Sequence, residues 1–284
     1  MSEFAAGPAG RIERVRALMV ERGYDAIVVR DEANLRWLTG VKGVFDYTFE
    51  FPHAAFITAD QCLFHTDSRY LNSFEENTPA GSPWVYDMDE GTIPGWVAGK
   101  IAATKCRVCA VEDDMQINFY QGIQRGLEDR SVACMLPLMH DDIRKMRAVK
   151  DAEEIDLMRH AQSITDAAFQ HMLGFIKPGM TEKQVRNELE SFMFANGADS
   201  LAFGSIVASG PNTANPHAVP SDRVIEKGDF VLMDYGAGYC DYRSDMTRTV
   251  ALGFVSEEMD KVYKTVLKAQ LAGIAATKAG VAGR

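Results

Sequence analysis

Two aspartates, Asp234 and Asp245, and one histidine, His217, are the side chains of this sequence best placed to do chemistry. The aspartates lie between Phe230 and Val250, where the strand-like runs FVLMDYG and YRSDMTRTV flank turn-prone residues. That pattern predicts a β-hairpin. With Cys240-Asp241 as the loop, Tyr239 pairs with Tyr242, Gly236 with Asp245, and Asp234 with Thr247. Paired residues share a face, as do residues two apart, so both carboxylates leave one face as diagonal neighbours roughly 7–8 Å apart at the backbone. Val231, Leu232, Met233 and Met246 make the surroundings apolar. Two carboxylates in such a place must share a proton, pair with a cation or ligate metal. Arg243 and Arg248 are the local cations for an ordinary ion-pair network. Metal is the other reading, and hard oxygen donors suit Mn, Mg or another first-row divalent ion.

His217 lies in SGPNTANPHAVPSDR, a Pro/Gly/Asn-rich loop after an apolar strand. Loops held by a rigid sheet are where catalytic groups concentrate, and imidazole can exchange a proton or hydrogen-bond a developing oxyanion. An ordinary loop histidine is the alternative.

The elements that must hold these residues fall into two halves. From Arg11 to about Met139 helical and strand patterns alternate, the mark of an α/β layer domain. RIERVRALMVERGY places Ile12, Val15, Leu18 and Met19 on one helical face and stops at Gly23; DAIVVR follows as a short strand. HAAFITADQCLFHT reads as two strands around a turn, and RVCAVE as another. The charged stretch from Asp141 to Lys150 marks the boundary, giving domains over residues 1–145 and 146–284. In the second half Thr181 with Gln184 predicts a capping box, Gly197 a helix stop, and Ser256 the start of a last helix.

Composition narrows the function. The 284 residues are 46% hydrophobic and 25% charged, which is ordinary for a soluble globular chain, and the formal net charge is −10. That sign disfavours nucleic acid and anionic membrane surfaces as partners. Five scattered cysteines do not read as a disulfide framework, and the N-terminus lacks the basic stretch and apolar core of a secretory signal, so the expected setting is the cytoplasm.

The string FGSIVASGPNTANPHAVPSDRVIEKGDFVLMDYGAGYCDYRSDMTRTV resembles the metal-binding region of the creatinase/aminopeptidase "pita-bread" family, and within it the Xaa-Pro dipeptidases and Xaa-Pro aminopeptidases. RIERVRALMVERGYDAIVVRDEANLRWLTG, TDSRY and IRKMRAVKDAEEIDLMRHAQ resemble that family's N-terminal domain and domain junction. The resemblance implies an α/β N-terminal creatinase-like domain followed by the first half of an α+β pita-bread domain. It makes Asp234 a ligand of one metal ion, Asp245 a carboxylate bridging two, and His217 the residue that hydrogen-bonds the scissile carbonyl. The implied cofactors are two divalent ions, Mn or Co ahead of Zn or Fe. The implied substrate is a short proline-containing peptide, and the implied assembly a homodimer. The family's site uses five ligands; the remaining His and two Glu have no counterpart here, so the expected chain is an inactive part of a longer metallopeptidase with an incompletely ligated site. A creatinase-like hydrolase of a small amide or amidine, and a catalytically dead protein-binding module, are the other readings.

Other signals carry less. Cys106-Arg-Val-Cys109 has metal or redox spacing but no second pair, and strand alternation would send the thiols to opposite faces. Asp67-Ser68-Arg69-Tyr70 reads as a helix cap with a structural ion pair, and Ser205 and Ser209 lack a His/Asp arrangement.

Overall fold

The structure, a computed structural model, describes residues 7–44, 51–88 and 91–283. The chain divides into two compact units, Met1–Glu153 and Glu154–Arg284.

In the first unit helix α1 (Gly7–Arg22) leads into β1 (Ala26–Val29), α2 (Glu32–Thr39), and the hairpin β2 (Ala54–Thr58) and β3 (Cys62–His65). Then come α3 (Leu71–Asn77), β4 (Val85–Asp87), α4 (Ile93–Thr104), β5 (Cys109–Val111), α5 (Ile117–Glu128) and α6 (Asp142–Ala148). The strands form one mixed sheet in the order β4-β3-β2-β1-β5. Strand β1 is antiparallel to β2 and parallel to β5. All four β1 residues are buried because both faces of the sheet are covered. Ile27 and Val29 join one core with Ile12, Val15 and Met19 of α1. Ala26 and Val28 join the opposite core with Trp96, Val97 and Ile101 of α4 and Ile123 and Leu127 of α5. A period of two thus divides one apolar run between two layers.

Two local expectations need correction. Cys106 and Cys109 do not take opposite faces: both are buried in the same apolar cluster. Cys106 precedes β5 and is not bound by strand alternation. Burial raises both thiol pKa values, which leaves them protonated core residues. Asp67 does pair with Arg69, at 2.7 Å, but the residue at the start of α3 is Tyr70, without a side-chain cap.

The second unit opens with α7 (Ala152–Phe175) and α8 (Glu182–Ala195), the latter started by the expected reciprocal capping box of Thr181 and Gln184. Short β6 (Ser200–Leu201) and β7 (Ile206–Ser209) lead through a 3₁₀ turn, Gly210–Ala214, to β8 (Phe230–Tyr235). Strands β9 (Ala237–Tyr239), β10 (Tyr242–Arg243) and β11 (Met246–Ala251) follow, and α9 (Glu257–Ala276) is capped by Ser256. Two three-stranded sheets result, ordered β11-β8-β7 and β10-β9-β6. Val231, Met233 and Tyr235 of β8 pack with Ala168 and Met172 of α7 and Val185, Leu189 and Met193 of α8. The alternate residues Phe230, Leu232 and Asp234 face away from that core. Helix α9 leaves Val262, Val266, Leu271 and Ile274 exposed.

His53 shows what the first unit's packing demands. Its ring is 1% exposed, edge-on to Tyr70 and Phe74 at centroid distances of 5.0 and 5.1 Å. Burial lowers its pKa to about 4, against a smaller opposing pull from Asp67. Because the folded value lies below the unfolded one, the contribution of neutral His53 is complete above about pH 6.5 and is lost as pH falls towards 4. We expect the wild type to lose roughly 2–3 kcal/mol more than His53→Phe between pH 7.5 and 4.5, measured by denaturant unfolding. Equal pH dependence in the two proteins contradicts this.

Candidate metal centre

The hairpin folds in the expected register. Tyr239 faces Tyr242 and Gly238 faces Arg243; farther along, Tyr235 faces Met246 and Asp234 faces Thr247. Cys240 and Asp241 occupy the loop with φ of 46° and 70°. Positive φ at both central residues is the two-residue hairpin turn whose twist matches that of the strands it joins. Asp tolerates this backbone better than most residues, while Cys must accept some strain.

Gly236 occupies the point where the chain passes from one sheet to the other, level with Asp245. A Cβ there would overlap the Ser244 carbonyl oxygen, lie 2.7 Å from its carbon and press on Ala202 Cβ at 3.0 Å. Only glycine lets the two arms approach so closely. Ser244, immediately before Asp245, is 6% exposed and sits in a buried hydroxyl network. Its Oγ is 2.6 Å from Thr165 Oγ1, and Ala237 N donates to both, at 2.9 and 3.0 Å. Tyr235 Oη donates to the Thr165 carbonyl at 3.3 Å. This network secures the hairpin to α7 beside the aspartates. Neither Thr165 nor Gly236 stood out in the sequence; the glycine in the YGAGY run was the available signal for a close approach.

The register puts both aspartates on the face of the hairpin opposite the α7/α8 core. Asp234 is half-buried and its Oδ1 is buried without a hydrogen-bond partner. Asp245 is exposed. The anticipated arginine partners are committed elsewhere. Arg248 follows Thr247, which shares Asp234's face, so its side chain goes to the opposite side, with its guanidinium 5.8 Å from the Phe169 ring centre. It also donates to the Thr247 carbonyl at 2.8 Å. Arg243 donates to the Ala202 carbonyl. The apolar surroundings are narrower than expected too: Val231, Met233 and Met246 face the core, leaving Leu232 on the aspartate side.

An orphaned, buried carboxylate oxygen fits a cation as its partner, since leaving such a group unsatisfied is costly. Hard divalent ions are the chemical match for two carboxylates. Among the described residues no group of three or more His, Cys, Asp or Glu forms a complete metal cage. His217 is exposed on the loop after β7; its backbone N–H donates to Asn215 Oδ1 at 3.2 Å, and its imidazole makes no hydrogen bond or ion pair among the described residues. The structure therefore brings the aspartates together on one face and leaves the His217 ring unengaged.

Residues 11–149 match the creatinase/prolidase N-terminal domain, and residues 156–284 match metallopeptidase family M24. An uncharacterized peptidase, YqhT, of Bacillus subtilis is 34% identical over 277 residues, covering 96% of this chain and 74% of the relative. The chain belongs to metallopeptidase family M24. Its fold is accordingly a creatinase-type N-terminal domain followed by the family's pita-bread domain. The Xaa-Pro dipeptidase from Bacillus anthracis superimposes with a TM-score of 0.83 at 35% identity, over 95% of this chain and 72% of that one. The X-Pro aminopeptidase from Thermotoga maritima MSB8 gives 0.81 at 30%, over 95% and 73%. No helix among the described residues is long and apolar enough to cross a membrane.

Gly236→Ala is expected to cost about 3 kcal/mol or more, since backbone rather than a flexible side chain blocks the new methyl. Ser244→Ala should cost about 1–2 kcal/mol through the lost hydroxyl bonds. Denaturant unfolding of the second unit checks both; a Gly236→Ala protein as stable as wild type would contradict the close-approach argument.

Proposed function

We propose that this sequence forms the first part of the active centre of a dinuclear metallopeptidase that cleaves next to proline. The observation that carries the reading is the unpartnered buried oxygen of Asp234, on the same hairpin face as Asp245 and opposite the face that Arg248 takes. M24 membership and the Xaa-Pro peptidases among the structural neighbours support it. In this reading Asp234 and Asp245 would together hold the divalent ions. Mn or Co is favoured, with Zn or Fe the other candidates.

The ions, when bound, would supply a water of lowered pKa and polarise the substrate carbonyl. The chain's own residues do the rest. The hairpin register sets the carboxylates on one face as diagonal neighbours, and the Ser244–Thr165 network limits how far Asp245 can drift. The otherwise uncommitted imidazole of His217 hydrogen-bonds the scissile carbonyl and, as negative charge grows on its oxygen, stabilises it. A short peptide ending in proline presents a tertiary amide, so its nitrogen carries no proton for the site to accommodate.

The two aspartates are a minority of the five ligands that the family resemblance implies, so the 284 residues alone should bind Mn weakly and show no turnover. The resemblance also supports a homodimer, and the five scattered cysteines support a cytoplasmic setting. The test is calorimetric titration with Mn together with hydrolysis of Ala-Pro, on this chain and on a polypeptide that extends it with the remaining His and two Glu. We expect turnover only in the extended form, abolished by Asp234→Asn or Asp245→Asn and reduced about 10²-fold or more by His217→Ala. Full activity of the double Asp→Asn protein would refute the proposal.

A further inference from the structure

Glu182, in the first turn of α8, is fully buried. Its Oε1 accepts from Ser209 N at 2.7 Å, Ser209 Oγ at 2.8 Å and Asn212 Nδ2 at 3.0 Å. Its Oε2 accepts from Ser221 N at 3.0 Å and Ser221 Oγ at 2.6 Å. One carboxylate thus receives five hydrogen bonds, from both ends of the segment that carries His217. A carboxylate offers about four lone-pair sites, so this one is saturated. The hydroxyl protons are consistent with the arrangement: Ser209 Oγ, while donating to Glu182, accepts from Arg223 Nη1 at 2.6 Å. Ser221 Oγ likewise accepts from Arg223 N at 3.1 Å. Arg223 is held in turn by Asp229 at 2.7 Å.

The segment between the two anchors has little regular structure of its own. It contains the 3₁₀ turn Gly210–Ala214 and then runs as turn and coil past Pro216, His217 and Val219, all exposed. Ala218 and Pro220 are its buried contacts. An exposed loop of this kind would ordinarily sample many conformations, and ordering it must overcome that entropy. Charge-assisted bonds to a buried carboxylate are strong enough to do so. Burial pushes the Glu182 pKa up, but the bonds from Ser221, Asn212 and Ser209 outweigh it and hold the group below the ordinary carboxylate range. Glu182 is therefore ionised at neutral pH, and among the described residues no cation is in direct contact with it.

We propose that Glu182 is a positioning residue: its carboxylate clamps Ser209/Asn212 to Ser221 and so fixes where His217 is presented. The proposal rests on the role given to His217 above, but the clamp can be tested without activity. Glu182→Gln is the informative variant. It keeps the shape but replaces one acceptor oxygen with an NH2 group that faces donors, so one arm of the clamp must open whichever way the amide is turned.

The experiment is residue-resolved amide hydrogen exchange by NMR on the 284-residue protein, with 13C-labelled histidine to follow the His217 ring. In Glu182→Gln we expect the Ser209 and Ser221 amides to exchange about tenfold faster or more, as a local opening does. The His217 resonance should shift or broaden, while the Met233 and Thr247 amides of the β8–β11 ladder stay unchanged. Ser221→Ala, which removes only one hydroxyl, should give the same pattern at smaller amplitude, and it decides the matter if Glu182→Gln does not fold. Unchanged loop exchange with an unchanged His217 signal overturns the clamp. Equal acceleration of loop and ladder also overturns it, because that marks a merely structural carboxylate. If Ala-Pro hydrolysis fails in the extended wild type while the exchange pattern appears, the peptidase reading falls and the clamp stands.

Discussion

The two-residue turn at Cys240-Asp241 is the constraint on which the candidate site depends, because it sets which side chains of β8 and β11 share a face. Side chains alternate with a period of two, so a slip of one residue would send Asp245 to the core face and leave Asp234 beside Met246 or Arg248. The turn residues accept positive φ, and Gly236 accepts the Ser244 carbonyl against its own backbone. Both features fix the same register, and the hydroxyl network to Thr165 holds it against α7. Turn chemistry, close approach and polar burial thus agree on one geometry, which is how a sequence specifies a single structure.

Charge distribution separates this site from the rest of the second unit. Two other acids there, at least partly buried, are compensated by protein groups: Asp229 by Arg223, and Glu182 by five donors. Asp234 is different. Among the described residues of that unit, its Oδ1 is the one buried carboxylate oxygen without a partner. A structural ion pair would have shown itself through the nearby arginines, yet one lies over an aromatic ring on the opposite face and the other donates to a backbone carbonyl. A buried carboxylate oxygen that no protein donor satisfies is not part of a stabilising salt bridge, and it is the observation behind the proposed role of Asp234 as a metal ligand.

Some of this was legible in the sequence for clear reasons. The hairpin could be read because its turn, alternation and length are local, and parity carried the inference from the turn to Asp234 and Asp245. The α8 cap was readable for the same reason. Other features were not. That Arg248 faces Phe169 follows from the same parity, but its nearness to Asp245 in sequence suggested an ion pair. The neighbours of Cys106 depend on where β5 begins, a boundary that composition does not mark. Nothing in the sequence separates Glu182 from any acid in a helix's first turn, since its donors come from residues 27 to 39 positions away and only the folded chain gathers them.

Asp234 and Asp245 lie on one face of the hairpin, and the role proposed for them is to hold divalent cations. The most direct measurement is anomalous diffraction from crystals of this protein soaked in Mn. An anomalous peak is expected within coordination distance of Asp234 Oδ1 and an Asp245 oxygen, lost in Asp234→Asn. No peak in the hairpin, with either carboxylate instead paired to Arg243 or Arg248, would contradict it.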